Sequence, residues 1–245
     1  MTDAELAAHL AAEAGRILLE VRESGRHHGV GLGRAGDAEA NALLVAALRE
    51  LRPGDGLLSE EERDDLVRLE RERVWIVDPL DGTREYGEGR SDWAVHVGLA
   101  IGGAASVGAV ALPALGVVLR SDVPLSRQAS SPIPRMVVSR TRPPPEAMAV
   151  AEALGAELVP MGSAGAKAMA VARGEAEIYL HAGGQYEWDN CAPVAVALGH
   201  GLYCSRLDGA ALSYNQRSPA IPDLLICVPE LADRVLLACS RAASD

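Results

Sequence analysis

From Trp93 to Leu119 the chain carries no formally charged residue. Such a stretch is long enough to span a bilayer. It holds five glycines, Pro113, His96 and Ser106, however, and Gly102-Gly103 breaks it in the middle. Gly-Gly between two runs of Val, Ala and Leu is the mark of a tight β-turn. The stretch therefore reads as two long antiparallel strands followed by a third around Gly116–Arg120, with no membrane span.

The rest of the chain is arranged around this sheet. Residues 3–23 place Leu6, Leu10, Ile17, Leu18 and Val21 at helical spacing. Gly25 to Gly36 reads as a glycine-rich loop feeding a helix capped by Asp37, with Leu43, Leu44, Ala47, Leu48 and Leu51 on one side. Pro53-Gly54 stops that helix. Val74–Val77 is a short buried strand ending in a Pro/Gly turn. Ser121–Pro134 is rich in Ser and Pro without periodicity, which suggests a boundary between an α+β unit (1–122) and an α/β unit (133–245). In the second unit the expected order is strand 136–139, helix 144–154, strand 157–160, helix 163–173 and strand 177–180. Helix 190–199, strands 202–205 and 224–227, and a closing helix 229–241 follow, with no internal repeat.

Composition narrows the function. With 49% hydrophobic and 23% charged residues among 245, the chain is globular, which excludes disorder, a collagen and a disulfide mini-scaffold. A net charge of −11 argues against a nucleic-acid partner and suits hard cations. Twenty-one of the 34 acids fall within residues 1–92, where either a metal site or a solvated acidic face would explain them. The four cysteines form no CxxC pair and read as reduced thiols. Residues 1–23 are mixed-charge and amphipathic, unlike a secretory leader, so the expected location is cytoplasmic. The absence of Phe, and the single lysine (Lys167) against 22 arginines, read as compositional bias.

Two glycine motifs mislead. Gly31-Leu32-Gly33-Arg34-Ala35-Gly36 spells GxGxxG, but a charged helix end precedes it where a dinucleotide fold needs a strand. Gly162 to Lys167 is too short for a P-loop and has Ala168 where a metal-binding hydroxyl belongs. It is either an amide-lined anion site or a tight strand-to-helix turn.

Trp75-Ile76-Val77-Asp78-Pro79-Leu80-Asp81-Gly82-Thr83 is the informative run. A buried strand ends in a carboxylate. Pro and Gly then fold the chain so that Asp78, the Leu80 carbonyl and Asp81 can converge as hard oxygen ligands, with Thr83 one step on to orient a water. Glu60, after the apolar pair Leu57-Leu58, and Asp189, after Trp188, could complete the set. Taken alone, each is an ordinary strand-end acid or helix cap.

Together these residues resemble the inositol monophosphatase superfamily of Mg²⁺-dependent, lithium-sensitive phosphatases. Trp75 to Tyr86 matches its Asp-Pro-apolar-Asp-Gly-Thr run. Trp188-Asp189-Asn190-Cys191-Ala192 matches its Trp-Asp element, Glu60-Glu61 its acid pair, and Asp37 its helix acid. Leu57 to Glu61, Val138-Ser139-Arg140, Gly162-Ser163 with Lys167, and Tyr214-Asn215 look like its 3′(2′),5′-bisphosphate nucleotidase (CysQ-type) branch.

The resemblance implies a layered αβαβα sandwich, mixing α+β and α/β units, and two Mg²⁺ ions with a third allowed. Glu60, Asp78 and the Leu80 carbonyl would hold the first ion, and Asp78, Asp81 and Asp189 the second. Thr83 and Asp37 would position and deprotonate the attacking water. Substrate contacts would come from Glu60, Leu80, Asp81, Gly82, Thr83, Ser139, Arg140, Ser163, Lys167 and Asp189.

The implied reaction releases the 3′-phosphate of adenosine 3′,5′-bisphosphate, a small phosphate ester from sulfate assimilation. The same chemistry on inositol phosphate or fructose 1,6-bisphosphate, or a non-catalytic metal or nucleotide sensor, are the alternatives. A homodimer is left open. Arg34 departs from the family, where Thr is frequent, and so does His181-Ala182-Gly183-Gly184-Gln185, which has no acid on the approach to Asp189.

Overall fold

The protein is described by a computed structural model covering residues 1–126 and 131–242. The chain alternates sheets and helices in five layers. Outermost are α1 (Asp3–Glu23) and α2 (Gly29–Leu51). They pack on a five-stranded sheet of β1 (Gly56–Ser59), β2 (Arg73–Asp81), β3 (Ala94–Ile101), β4 (Ala104–Leu112) and β5 (Val117–Arg120), in that order. A short helix, α3 (Thr83–Gly87), follows β2.

The second sheet holds β6 (Arg135–Ser139), β7 (Glu157–Met161), β8 (Ile178–Tyr186), β9 (Tyr203–Ser205) and β10 (Ala220–Cys227), in the order β7-β6-β8-β10-β9. Helices α5 (Ala164–Ala172) and α6 (Glu187–Gly199) lie between the sheets. Helices α4 (Pro145–Leu154) and α7 (Ala232–Ala242) cover the far side. This is the αβαβα sandwich.

Local chemistry explains the elements. Thr2 and Glu5 cap α1 reciprocally, and Leu6, Leu10, Leu18 and Val21 bury its inner stripe. Gly102 and Gly103 both take positive φ (56° and 80°), which a two-residue turn between right-twisted strands requires. Among the described residues no helix is long and apolar enough to cross a membrane.

The structure corrects the glycine-rich loop. Only residues 24–28 are irregular, and α2 begins at Gly29, so Asp37 lies inside the helix instead of capping it; Leu51 is exposed at its end. Gly33 and Gly36 serve close packing. A Cβ on Gly33 would lie 2.4 Å from Thr83 Cγ2, and one on Gly36 would lie 2.8 Å from Leu18 Cδ2. Three strands are longer than their apolar runs: β2 continues through Pro79 to Asp81, β8 through two glycines to Tyr186, and β10 begins at Ala220. Helix α6 starts at Glu187, three residues early, so Asp189 sits in its first turn. The 229–241 helix is a 3₁₀ turn followed by α7. Of the Ser/Pro stretch, residues 127–130 lie outside the described part.

Candidate active site

In a regular strand Asp78 and Asp81, three apart, would point to opposite faces. Between them β2 slips against β3: Asp78 pairs with His96 but Asp81 with Ala94. Three steps on one strand against two on the other make a β-bulge, and the extra residue returns both carboxylates to one face. The Asp78 Oδ1 accepts from the Leu80 amide at 3.0 Å, fixing the bulge from within. Gly82, at φ 90°, then turns the chain into α3 and brings Thr83 back over it.

Asp189 arrives from the other half. Its Oδ2 accepts from the Tyr186 amide at 2.6 Å, which locks it at the start of α6. One oxygen each from Asp78, Asp81 and Asp189 lie within 4.8 Å of one another. Glu60 follows the end of β1, with its amide 3.3 Å from the Val77 carbonyl. The Thr83 hydroxyl lies 3.1 Å from the Leu80 carbonyl and 3.3 Å from Asp37 Oδ2.

The acids answer to this crowding. Burial, then the charges of Glu61 and Glu60, push Asp37 up to about 8. Burial and the charge of Asp81 push Asp189 up to about 7. Asp78 and Glu60 are also raised, by burial and then by their carboxylate neighbours. Asp81 goes the other way: burial is outweighed by His96, whose Nε2 lies 3.2 Å from Oδ2, and by the Gly165 amide at 2.5 Å. Five acids face one another, and Asp37 Oδ1 is buried without a hydrogen-bond partner. Hard oxygen donors with so little positive charge among them fit divalent cations of the Mg²⁺ type.

The remaining candidates are placed differently from the sequence reading. The first-turn amides of α5 are occupied: Ala164 and Gly165 donate to Asp81, and Ala166 donates to Ser163 Oγ. The anion at this helix start is therefore a protein carboxylate. Lys167 is buried, and its ammonium donates to the Gly162 and Ser163 carbonyls. Arg140 is held by Glu85 of α3 and by Glu88 just beyond its end, at 2.8 and 2.6 Å. Ser139 Oγ accepts from the Arg142 amide.

His96 was not singled out by the sequence. Its Nδ1 lies 2.9 Å from the Trp188 carbonyl, so it links Asp81 to the strand-helix junction that carries Asp189. The available signal was a lone imidazole in an otherwise apolar strand.

A five-layer αβαβα sandwich with carboxylates converging from a bulged strand and a facing helix start defines a layered α/β phosphatase. The chain belongs to the inositol monophosphatase family, whose profile matches residues 2–241. It is 50% identical over 251 residues to a 3′-phosphoadenosine 5′-phosphate phosphatase of Mycobacterium leprae, covering 96% of this chain and 93% of that one. Against the protein of the same name from Mycobacterium bovis it is 52% identical, covering 94% and 90%. A solved CysQ from Bacteroides thetaiotaomicron shares the fold, with TM-score 0.79, 24% identity and coverage of 92% and 97%. An inositol monophosphatase from Anabaena (Nostoc) does so with TM-score 0.77, 21% identity and coverage of 97% and 95%.

Proposed function

We propose that this phosphatase removes the 3′-phosphate of adenosine 3′,5′-bisphosphate in a Mg²⁺-dependent hydrolysis, giving AMP and inorganic phosphate, and serves sulfate assimilation. The convergence of Asp78, Asp81 and Asp189 within 4.8 Å carries the chemistry. The substrate is proposed from the likeness to the two mycobacterial phosphatases.

Glu60, Asp78 and the Leu80 carbonyl would hold one cation, and Asp78, Asp81 and Asp189 a second, with a third allowed. Bound divalent cations supply charge neutralisation at the phosphoryl oxygens and the leaving oxygen. The protein's own part begins at Thr83. Its hydroxyl, backed by Asp37 and the Leu80 carbonyl, orients a water in line with the ester bond. Asp37, protonated in the metal-free cluster, would be driven to its carboxylate form by bound cations and then takes the water's proton through that hydroxyl. The water oxygen bonds to phosphorus as the P–O3′ bond breaks; the 3′-oxygen leaves as a hydroxyl with a proton taken from a solvent water, and the proton held by Asp37 returns to solvent. Asp81 is kept ionised and aimed by His96 and the α5 amides. Ser163 and Lys167 support that helix start from below instead of meeting the substrate.

In this reading residues 1–122 bring Asp37, Glu60, Asp78, Asp81 and Thr83, and residues 133–245 bring Asp189. A cytoplasmic location belongs to the same proposal. Phosphate release from adenosine 3′,5′-bisphosphate, inositol 1-phosphate and fructose 1,6-bisphosphate, each with Mg²⁺ and with chelator, tests it. Fastest release from the nucleotide, only with Mg²⁺, is expected. Faster release from either of the others would replace the substrate.

A further inference from the structure

The chain contains only eight aromatic side chains, three Trp and five Tyr. Trp75, Trp93, Tyr86, Tyr179 and Tyr214 are buried, and Trp188 and Tyr203 are partly covered. Tyr186 alone is exposed, at 44%. It is also the aromatic residue whose amide holds the metal-site carboxylate of Asp189, at 2.6 Å.

Its ring is not loose. It lies on the Trp188 indole with centroids 4.8 Å apart and planes 12° from parallel. One face is thus fixed by a partly buried indole, and the other is left to solvent. The neighbouring residue explains the direction. Gln185 is buried, donating to the Tyr179 hydroxyl at 2.9 Å and accepting from Asn190 at 3.3 Å, so the next side chain along β8 turns outward. Before it, Gly183 and Gly184 leave the backbone bare, with nothing within 4 Å of where a Cβ would stand. The result is an exposed aromatic ring, backed by the Trp188 indole and carried by the residue whose amide holds Asp189.

We propose that the open face of Tyr186 is a stacking platform for the nucleobase of the substrate, so that the Tyr186–Trp188 pair selects a nucleotide over a sugar or polyol phosphate. This rests on the nucleotidase reading above. A planar heteroaromatic base meets a π-face regardless of its hydrogen-bonding edge. A polyol has no comparable face and gains little there.

The test measures KM and kcat of wild type, Tyr186→Ala and Tyr186→Phe on adenosine 3′,5′-bisphosphate and on glycerol 2-phosphate, with AMP binding followed by calorimetry. In Tyr186→Ala, the nucleotide KM and the AMP dissociation constant should rise about tenfold, within the range for one base stacked on an aromatic ring. The kcat should hold, and the preference for nucleotide over glycerol 2-phosphate should fall by the same factor. Tyr186→Phe, which keeps the ring, should behave as wild type. An unchanged KM in Tyr186→Ala, an equal loss on both substrates, or a Phe variant as weak as the Ala variant each overturns the platform. A wild-type protein that releases no phosphate from the nucleotide overturns the nucleotidase reading, and the platform with it.

Discussion

Stripped of divalent cations, the protein should lose stability as pH rises from about 5 to about 8. Asp37 stays protonated in the folded chain up to about pH 8 and Asp189 up to about 7. In the unfolded chain both ionise near the usual aspartate value of about 3.9. Between those limits the folded state binds more protons than the unfolded one, so the unfolding free energy falls with pH. For Asp37, crossing about three units at about 1.4 kcal/mol each gives on the order of 4 kcal/mol. Asp189 adds to this, less than additively, because the site's carboxylates share the same crowding.

Asp78, Glu60 and Glu187, also raised by burial, steepen the slope in the same direction. His96 works in the same direction: burial is outweighed by Asp81, and that contribution is lost as pH rises through its raised value. His181, lowered by burial, works against it. Asp3, Asp64 and Asp223, where burial is outweighed by arginine partners, matter only below the window. Thermal melts in chelator should therefore drop by on the order of 10 °C across the window, at about 2–4 °C per kcal/mol for a chain this size. With saturating Mg²⁺ the slope should flatten, because cations replace protons in the cluster. A chelated protein whose Tm is flat or rising would refute the crowding of these acids, and with it the reason for a cation there.

Five substitutions extend the account. Asp78→Asn and Asp81→Asn should abolish Mg²⁺-dependent phosphate release, while Asp78→Asn raises the Tm of the chelated protein by relieving charge repulsion; calorimetric Mg²⁺ titration and melts check both. Thr83→Ala should lower kcat by about 10²–10⁴-fold with Mg²⁺ affinity retained, since in the proposed mechanism its hydroxyl positions the water and is not a ligand. Gly33→Ala should slow turnover by on the order of 10–100-fold although Gly33 touches no substrate, because its Cβ would stand 2.4 Å from Thr83 Cγ2 and push that residue aside. Lys167→Met should destabilise the fold by about 1.5–3 kcal/mol and slow every phosphate ester alike; a loss confined to the bisphosphate would return Lys167 to the substrate's second phosphate.

Much of this was legible in the sequence, for reasons visible in particular residues. The hairpin showed because Gly102-Gly103 sits between uncharged runs and glycine alone takes both positive φ values cheaply. The Asp78–Thr83 run showed because acids, Pro, Gly and Thr rarely crowd one strand end without chemistry. The start of α2 was hidden because Gly31, Gly33 and Gly36 resemble loop residues when their contacts are unknown. Gly33 and Gly36 are small because Thr83, Leu18 and Tyr86 press against the helix, whereas Gly31 faces open space. The bulge between Asp78 and Asp81 was hidden because register belongs to two strands and sequence shows one. The roles of Lys167 and His96 were hidden because each is set by a partner far along the chain: the α5 turn lies against Asp81, and His96 reaches the Trp188 carbonyl. Arg140 looked free because Glu85 and Glu88, its partners, lie 55 and 52 residues away.

The most direct test titrates Mg²⁺ into the metal-stripped protein while phosphate release from adenosine 3′,5′-bisphosphate and the identity of the nucleoside product are followed together. The account predicts no release in chelator, release that saturates with Mg²⁺, and 5′-AMP as the sole nucleotide product. Full release in chelator, no release at saturating Mg²⁺, or adenosine 3′-phosphate as product would contradict it.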